Sequence, residues 1–150
     1  MAKALVTGAT SGIGLEFAHQ LAQKGYDLIL VSRNINRLNE TVQDLTNKYH
    51  VKAEVLQADL GTDEGIKLTR ELINKEEIEF IVNNAGLGIN KPFHATDLAE
   101  EVNLLNVLVK APLEIHIQLG ILSVGIFARS WNSVLVKPGA TTVTLIPESL

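Results

Sequence analysis

No cysteine occurs among the 150 residues, which excludes disulfides and thiolate metal sites and makes a reducing cytoplasm the natural compartment. Positive charge is not in excess: 13 Lys and Arg stand against 17 Asp and Glu, a net charge of −4 at pH 7. Neither nucleic acid nor an anionic membrane surface finds an electrostatic footprint there. No apolar run reaches the ~18 residues needed to cross a bilayer. The N-terminus lacks the basic segment and long apolar stretch of a secretory signal. Four histidines, His19, His50, His94 and His116, are scattered without metal-ligand spacing, which assigns them to surface or packing roles.

What is present reads as one α/β domain, long enough to bury roughly 70% of its unfolded surface. Ala4-Leu-Val6 is a short apolar run that stops at glycines, as a buried strand does. From Ile13 the period changes: Ile13, Phe17 and Leu21 recur every four residues beside Ala18 and Ala22, with Gly25 where a helix C-terminal cap belongs. Asp27–Val31 is a continuous apolar strand of the kind covered on both faces. Leu38, Val42, Leu45 and Tyr49 repeat at helical spacing. Ala53–Leu56 predicts a third strand, and Thr62–Asn74 a third helix with Ile66, Thr69, Leu72 and Ile73 inward. Ile78–Val82 predicts a fourth strand, and Asp97–Leu113 a further helix. Strands alternating with helices through short loops imply a parallel sheet.

The text changes after about residue 102. Residues 1–102 hold 25 of the 30 charged side chains, so the last 48 residues are nearly uncharged. Beyond His116 no helix period survives, although Ile121–Val124 and Val134–Val136 read as short strands.

The stretch Leu5-Val-Thr-Gly-Ala-Thr-Ser-Gly-Ile-Gly14 places three glycines between a strand and a helix. The first turn of a helix carries unsatisfied N–H groups and partial positive charge, which suit a pyrophosphate. Gly8 would make the tight turn, Gly12 would permit close backbone approach, and Gly14 would let the helix pack on the strand. The spacing differs from the G-x-G-x-x-G of the commonest dinucleotide fingerprint, so the βαβ context carries the reading.

In this context the chain resembles the short-chain dehydrogenases/reductases. Their nucleotide loop reads T-G-x-x-x-G-x-G, here Thr7-Gly8-Ala-Thr-Ser-Gly12-Ile-Gly14. Their Asp-Leu pair after the third strand is here Asp59-Leu60, and their N-N-A-G after the fourth is Asn83-Asn84-Ala85-Gly86. The three motifs stand in order, each at the C-terminal end of its expected strand, and the resemblance covers residues 1 to about 113. It implies a Rossmann-type doubly wound parallel sheet with helices on both faces, its C-terminal part incomplete. Residues 1–113 would be an NAD(P)-binding domain, and 114–150 a divergent apolar tail with no domain of its own. Thr7, Gly8, Thr10, Ser11, Gly12, Ile13 and Gly14 would form the pyrophosphate loop. Asp59 would accept a hydrogen bond from the adenine amino group, with Leu60 packing beside the base. Asn83, Asn84, Ala85 and Gly86 would brace the sheet and line the cofactor ribose.

Cofactor choice turns on the end of the second strand, where an acidic residue would hold the ribose 2′-hydroxyl of NAD. Ser32-Arg33-Asn34 stands there instead, and the planar donor fork of Arg33 suits a phosphate. NADP is therefore favoured over NAD.

The family's chemistry, hydride transfer between a nicotinamide and a small-molecule carbonyl or alcohol, requires a Tyr with a Lys four residues later, a Ser, and an Asn on the preceding helix that organises a water relay. Asn106, in Leu104-Leu-Asn-Val107, matches that Asn, with Asn103 as the alternative. Tyr-x-x-x-Lys is missing: Tyr26 is followed four residues on by Leu30, Tyr49 by Ala53, and past residue 110 the only lysine is Lys137. Nothing ties Ser123, Ser130 or Ser133 to the catalytic position. A frameshift or premature end of the coding sequence past residue 116 would account for these losses and for the tail. Three readings follow: an NADP-dependent short-chain oxidoreductase by descent with impaired catalysis, a non-catalytic nucleotide-binding module, or a non-functional fragment. Substrate and homo-oligomer formation stay open.

Overall fold

The computed structural model describes residues 2–118 and 133–136. Strand β1 (Lys3–Thr7) leads through helix α1 (Gly12–Gln23) to β2 (Asp27–Ser32), then through α2 (Ile35–Tyr49) to β3 (Ala53–Gln57) and through α3 (Asp63–Lys75) to β4 (Ile78–Asn83). A turn of 3₁₀ helix at Phe93–Ala95 precedes α4 (Leu98–Leu105), which passes through a π-helical turn at Asn106–Lys110 into α5 (Ala111–Gln118). The sheet order is β3-β2-β1-β4-β5, with β1 to β4 parallel and β5 (Ser133–Val136) antiparallel along β4.

The two-residue period of the strands separates two cores. Ala4 and Val6 of β1 share one face with Leu28, Leu30 and Val82, and meet Ala18, Leu21 and Ala22 of α1 and Leu38 and Leu45 of α2. Leu5 points the other way with Ile29, Val31 and Ile81, against Ile73 of α3 and Ile115 of α5. Full burial of each large side chain stabilises the fold by about 2 kcal/mol relative to an exposed one. Strands covered on both faces are why β1 and β2 are written almost without polar residues. β3, at the sheet edge, is instead half exposed, with Glu54 and Val55 turned outward. The chain winds from β1 outward through β2 to β3, then returns across the sheet to β4. The order therefore reverses at β1, and a crevice opens there at the C-terminal ends of the strands.

Three helices start under a side-chain cap. The Asn34 carboxamide accepts from the Arg37 N–H, the Thr62 hydroxyl from the Gly65 N–H, and Asp97 from the Glu100 N–H in a reciprocal capping box. Asp97, expected as the first residue of its helix, is thus the cap.

The single helix expected to end at Leu113 runs on to Gln118 and contains the π turn. Val107, Ala111 and Ile115, four residues apart, are all buried, while Leu98, Val102, Leu105, Val109 and Leu113 stay exposed on the outer face.

Val134–Val136, expected as a strand, lies within β5. Ile121–Val124, Ser123, Ser130 and Lys137 lie outside the described residues. His19 sets its ring edge-on to Tyr49 at 5.8 Å between α1 and α2, a packing role. Among the described residues no group of acidic and histidine side chains could hold a metal ion, and no helix is long and apolar enough to cross a membrane.

Candidate functional site

The β1–α1 turn shows why glycine recurs in it. Gly8 and Gly12 take positive φ, +67° and +56°, which side chains disfavour. A Cβ at Gly12 would meet nothing within 4 Å, so the backbone there is open to a ligand. A Cβ at Gly14 would strike the Gly8 carbonyl and the Asn84 side chain, so α1 seats directly on the turn.

Asn84 and Thr7 lock that turn to the end of β4. The Asn84 amide donates to the carbonyls of Thr7 and Gly8, both at 3.2 Å. The Thr7 hydroxyl accepts from the backbone N–H groups of Asn84 and Ala85, each at 3.0 Å, and donates to the Val82 carbonyl at 3.3 Å. Thr7 is 1% exposed, so this hydroxyl serves the scaffold and does not reach the crevice.

Unlike α2, α3 and α4, helix α1 begins without a side-chain cap. Ser11 is extended at φ −166° with its hydroxyl not bonded to the helix, and the first turn carries no acidic residue. Its free N–H groups and dipole therefore face the crevice without internal compensation, an arrangement that takes an anion.

The crevice has a volume of about 340 Å³, within the range of small-molecule sites. Gly8, Thr10, Ser11 and Ile13 line it from the glycine turn, Val31, Ser32 and Arg33 from the end of β2, and Ala58, Asp59 and Leu60 from the end of β3. Asn84, Ala85, Gly86 and Leu87 follow from the end of β4, and Val107 from the π turn. The Thr10 and Ser32 hydroxyls meet at 3.3 Å, and exposed Arg33 stands beside them at the rim. Asp59 is fixed by its own turn: one carboxylate oxygen accepts from the Gly61 N–H at 2.9 Å, and its carbonyl accepts from the Thr62 hydroxyl at 2.8 Å.

Most of the residues expected from sequence meet at this crevice, with five exceptions. Thr7 braces the turn, Gly12 and Gly14 shape its backbone, and neither Asn83 nor Asn106 lines the wall. Asn83 is buried in β4 with its amide nitrogen unpartnered among the described residues, while its neighbour Asn84 forms the brace. Adjacent strand residues point to opposite faces, so only one Asn of the pair can reach the turn. Asn106 donates its amide to the Gly61 carbonyl at 2.8 Å. Val31, Ser32, Ala58, Leu87 and Val107 were not expected at the wall. Strand-end position was a usable signal for the first three, and nothing local marks Leu87 or Val107.

Comparison with known proteins gives a consistent outcome. The family model for short chain dehydrogenase matches residues 2–119. A very-long-chain 3-oxoacyl-CoA reductase from Vanderwaltozyma polyspora is 37% identical over 115 residues, covering 74% of this chain and 33% of the relative. Inactive hydroxysteroid dehydrogenase-like protein 1 from Homo sapiens is 34% identical over 120 residues, covering 77% and 36%. The chain thus spans about a third of the length of these curated relatives. Among solved structures, a short-chain dehydrogenase from Sphingobium yanoikuyae in complex with NADPH superposes with a TM-score of 0.76 at 28% identity, over 79% of this chain and 46% of the other. With a parallel sheet reversing at β1, three family motifs at its strand ends, and a family match over most of its length, the chain belongs to the short-chain dehydrogenase family.

Proposed function

We propose that this chain binds NADP(H) in the β1–α1 crevice, by descent from an oxidoreductase that moves hydride between the nicotinamide and a carbonyl or alcohol. The observation that carries the reading is the uncapped N-terminus of α1, opening beside Gly12 onto a crevice lined by Arg33 and Asp59. Gly12, Ile13 and Gly14 would present the first-turn N–H groups to the pyrophosphate. Asp59 and Leu60 would hold the adenine. Arg33, with Ser32 and Thr10, would take the 2′-phosphate, which favours NADP over NAD. Ala85 and Gly86 would flank the ribose next to the nicotinamide, the group that supplies the hydride.

The sequence contains no Tyr-x-x-x-Lys, and the loss of a general acid costs about 10² to 10⁴ in rate. A nucleotide-binding role with little or no catalysis is the second reading, and that same absence favours it.

Fluorescence titration of the full chain with NADPH and NADH tests the binding. Saturable binding with NADPH preferred is expected, and no binding of either at millimolar levels would overturn the proposal. Reduction of a 3-oxoacyl-CoA, the substrate class named for the yeast relative, tests the chemistry. Robust turnover would show that the missing tyrosine is not needed.

A further inference from the structure

We propose that Asn106 is a positioning residue of the crevice: by holding the Gly61 carbonyl from the start of the π turn, it sets the Asp59 carboxylate in the crevice wall. This rests on the dinucleotide reading above and assigns a task to a helix that otherwise touches the crevice only through Val107.

Gly61 is gripped on both of its peptide groups. Its N–H donates to Asp59 Oδ1 at 2.9 Å, and its carbonyl accepts from Asn106 Nδ2 at 2.8 Å. One helical turn earlier, Asn103 closes on the same residue, so a Cβ at Gly61 would strike the Asn103 carboxamide oxygen. The backbone N–H and hydroxyl of Thr62 both donate to the Asp59 carbonyl, at 3.0 and 2.8 Å. Asp59 is therefore fixed at its carbonyl by α3's cap and at its carboxylate by Gly61, and Gly61 is fixed by α4. Asp59 and Leu60 line the crevice, whereas Asn106 does not, so its effect must pass through the turn. Asn106 gives one N–H to Gly61 and does not line the crevice, which separates this role from one of touching reacting atoms.

The experiment uses the full chain and two half-ligands, adenosine 2′,5′-bisphosphate and reduced nicotinamide mononucleotide, measured by titration calorimetry alongside NADPH. Asn106→Ala is expected to weaken NADPH and the adenine half by about five- to tenfold, the worth of one net hydrogen bond, and to leave the nicotinamide half unchanged. Equal losses on both halves, or none, would overturn the proposal. Leu105→Ala, an exposed neighbour on the same helix, should change neither.

Should Asn106→Ala fail to fold, hydrogen exchange on the unaltered chain decides. The adenine half should slow exchange in residues 61–62 and 106–111 together, and protection confined to 61–62 would overturn the proposal. Failure of the unaltered chain to bind either half would remove the dinucleotide reading and this inference with it. Binding that Asn106→Ala leaves intact would remove only the inference.

Discussion

Gly12 and Gly14 stand two residues apart, and their backbones make opposite demands on a side chain. At Gly14 the obstacle is contact: a Cβ would strike the Gly8 carbonyl and the Asn84 side chain, neither of which can move without opening the β1–α1 turn. Gly14→Ala is expected to destabilise by about 2 kcal/mol, an overpacking cost, and to lower the melting temperature by roughly 4 to 8 °C. At Gly12 the space is open and only the positive φ opposes a side chain, a strain of about 1 kcal/mol. Gly12→Ala should therefore melt only a few degrees lower, yet bind NADPH at least tenfold more weakly, because the methyl group occupies ligand space. Thermal melts and titrations on the same two variants separate the scaffold role from the binding role. Arg33 is exposed at the crevice rim. Arg33→Asp should invert the preference from NADPH toward NADH by at least tenfold in relative affinity, because a carboxylate repels the 2′-phosphate and accepts from a 2′-hydroxyl.

Among the helices, the contrast lies in how they begin. Asn34, Thr62 and Asp97 cap α2, α3 and α4, while Ser11 leaves α1 uncapped and without an acidic first turn. Ser11→Asp should satisfy a free N–H and the helix dipole, stabilising the chain by about 0.5 to 1 kcal/mol. The same carboxylate stands where a pyrophosphate would bind, so NADPH affinity should fall at least tenfold. A melting temperature that rises while affinity falls would mark this terminus as left open for a ligand. How far such features can be read from sequence depends on whether the signal is local. The element order from β1 to β4 and the inward face of α3 follow from periodicity and from glycines, which act within a few residues. On α1 the period holds for Phe17, Ala18, Leu21 and Ala22, whereas Ile13, expected on the same face, is exposed at the crevice. The π turn was hidden, because Asn106–Lys110 is an ordinary helical text and its partners lie far along the chain, Gly61 among them, 45 residues away. The antiparallel direction of β5 was equally hidden, since an apolar four-residue strand can pair either way and its own residues do not mark which. Asn83 and Asn84 illustrate the limit within the site: one motif, two faces, and only the pleat shows which Asn braces the turn.

Across the whole molecule, the two ends of the sheet differ in what holds them. At the crevice end the β1–α1 turn is braced by neutral hydrogen bonds around Thr7 and Asn84, and the opposite end carries a charged closure. Lys3, at the start of β1, donates to Glu76 at 2.7 Å, just past the end of α3, and reaches Glu54 of β3 at 3.4 Å. The hydrogen bond that Lys3 donates to Glu76 is the main reason its ammonium titrates above its ordinary value, with the charges of Glu54 and Glu76 adding to it. A lysine that holds its proton more tightly when folded stabilises the fold fully below its unfolded value near 10.5, and that contribution disappears as pH rises through the higher folded value. Lys91, raised by Glu100 of α4, and Lys110 of the π turn, raised by Asp63, act in the same direction. The chain should therefore lose stability above about pH 10.5, in a range where its carboxylates are already ionised on both sides of the transition. Lys3→Met should lower stability at pH 8 and flatten the decline between pH 9.5 and 11.5, because one of the three contributing ammonium groups is gone. Urea melts across that range provide the measurement. A Lys3→Met curve parallel to the unaltered one would place the alkaline sensitivity elsewhere, in Lys91 and Lys110, and would reduce the Lys3–Glu76 bridge to a surface contact.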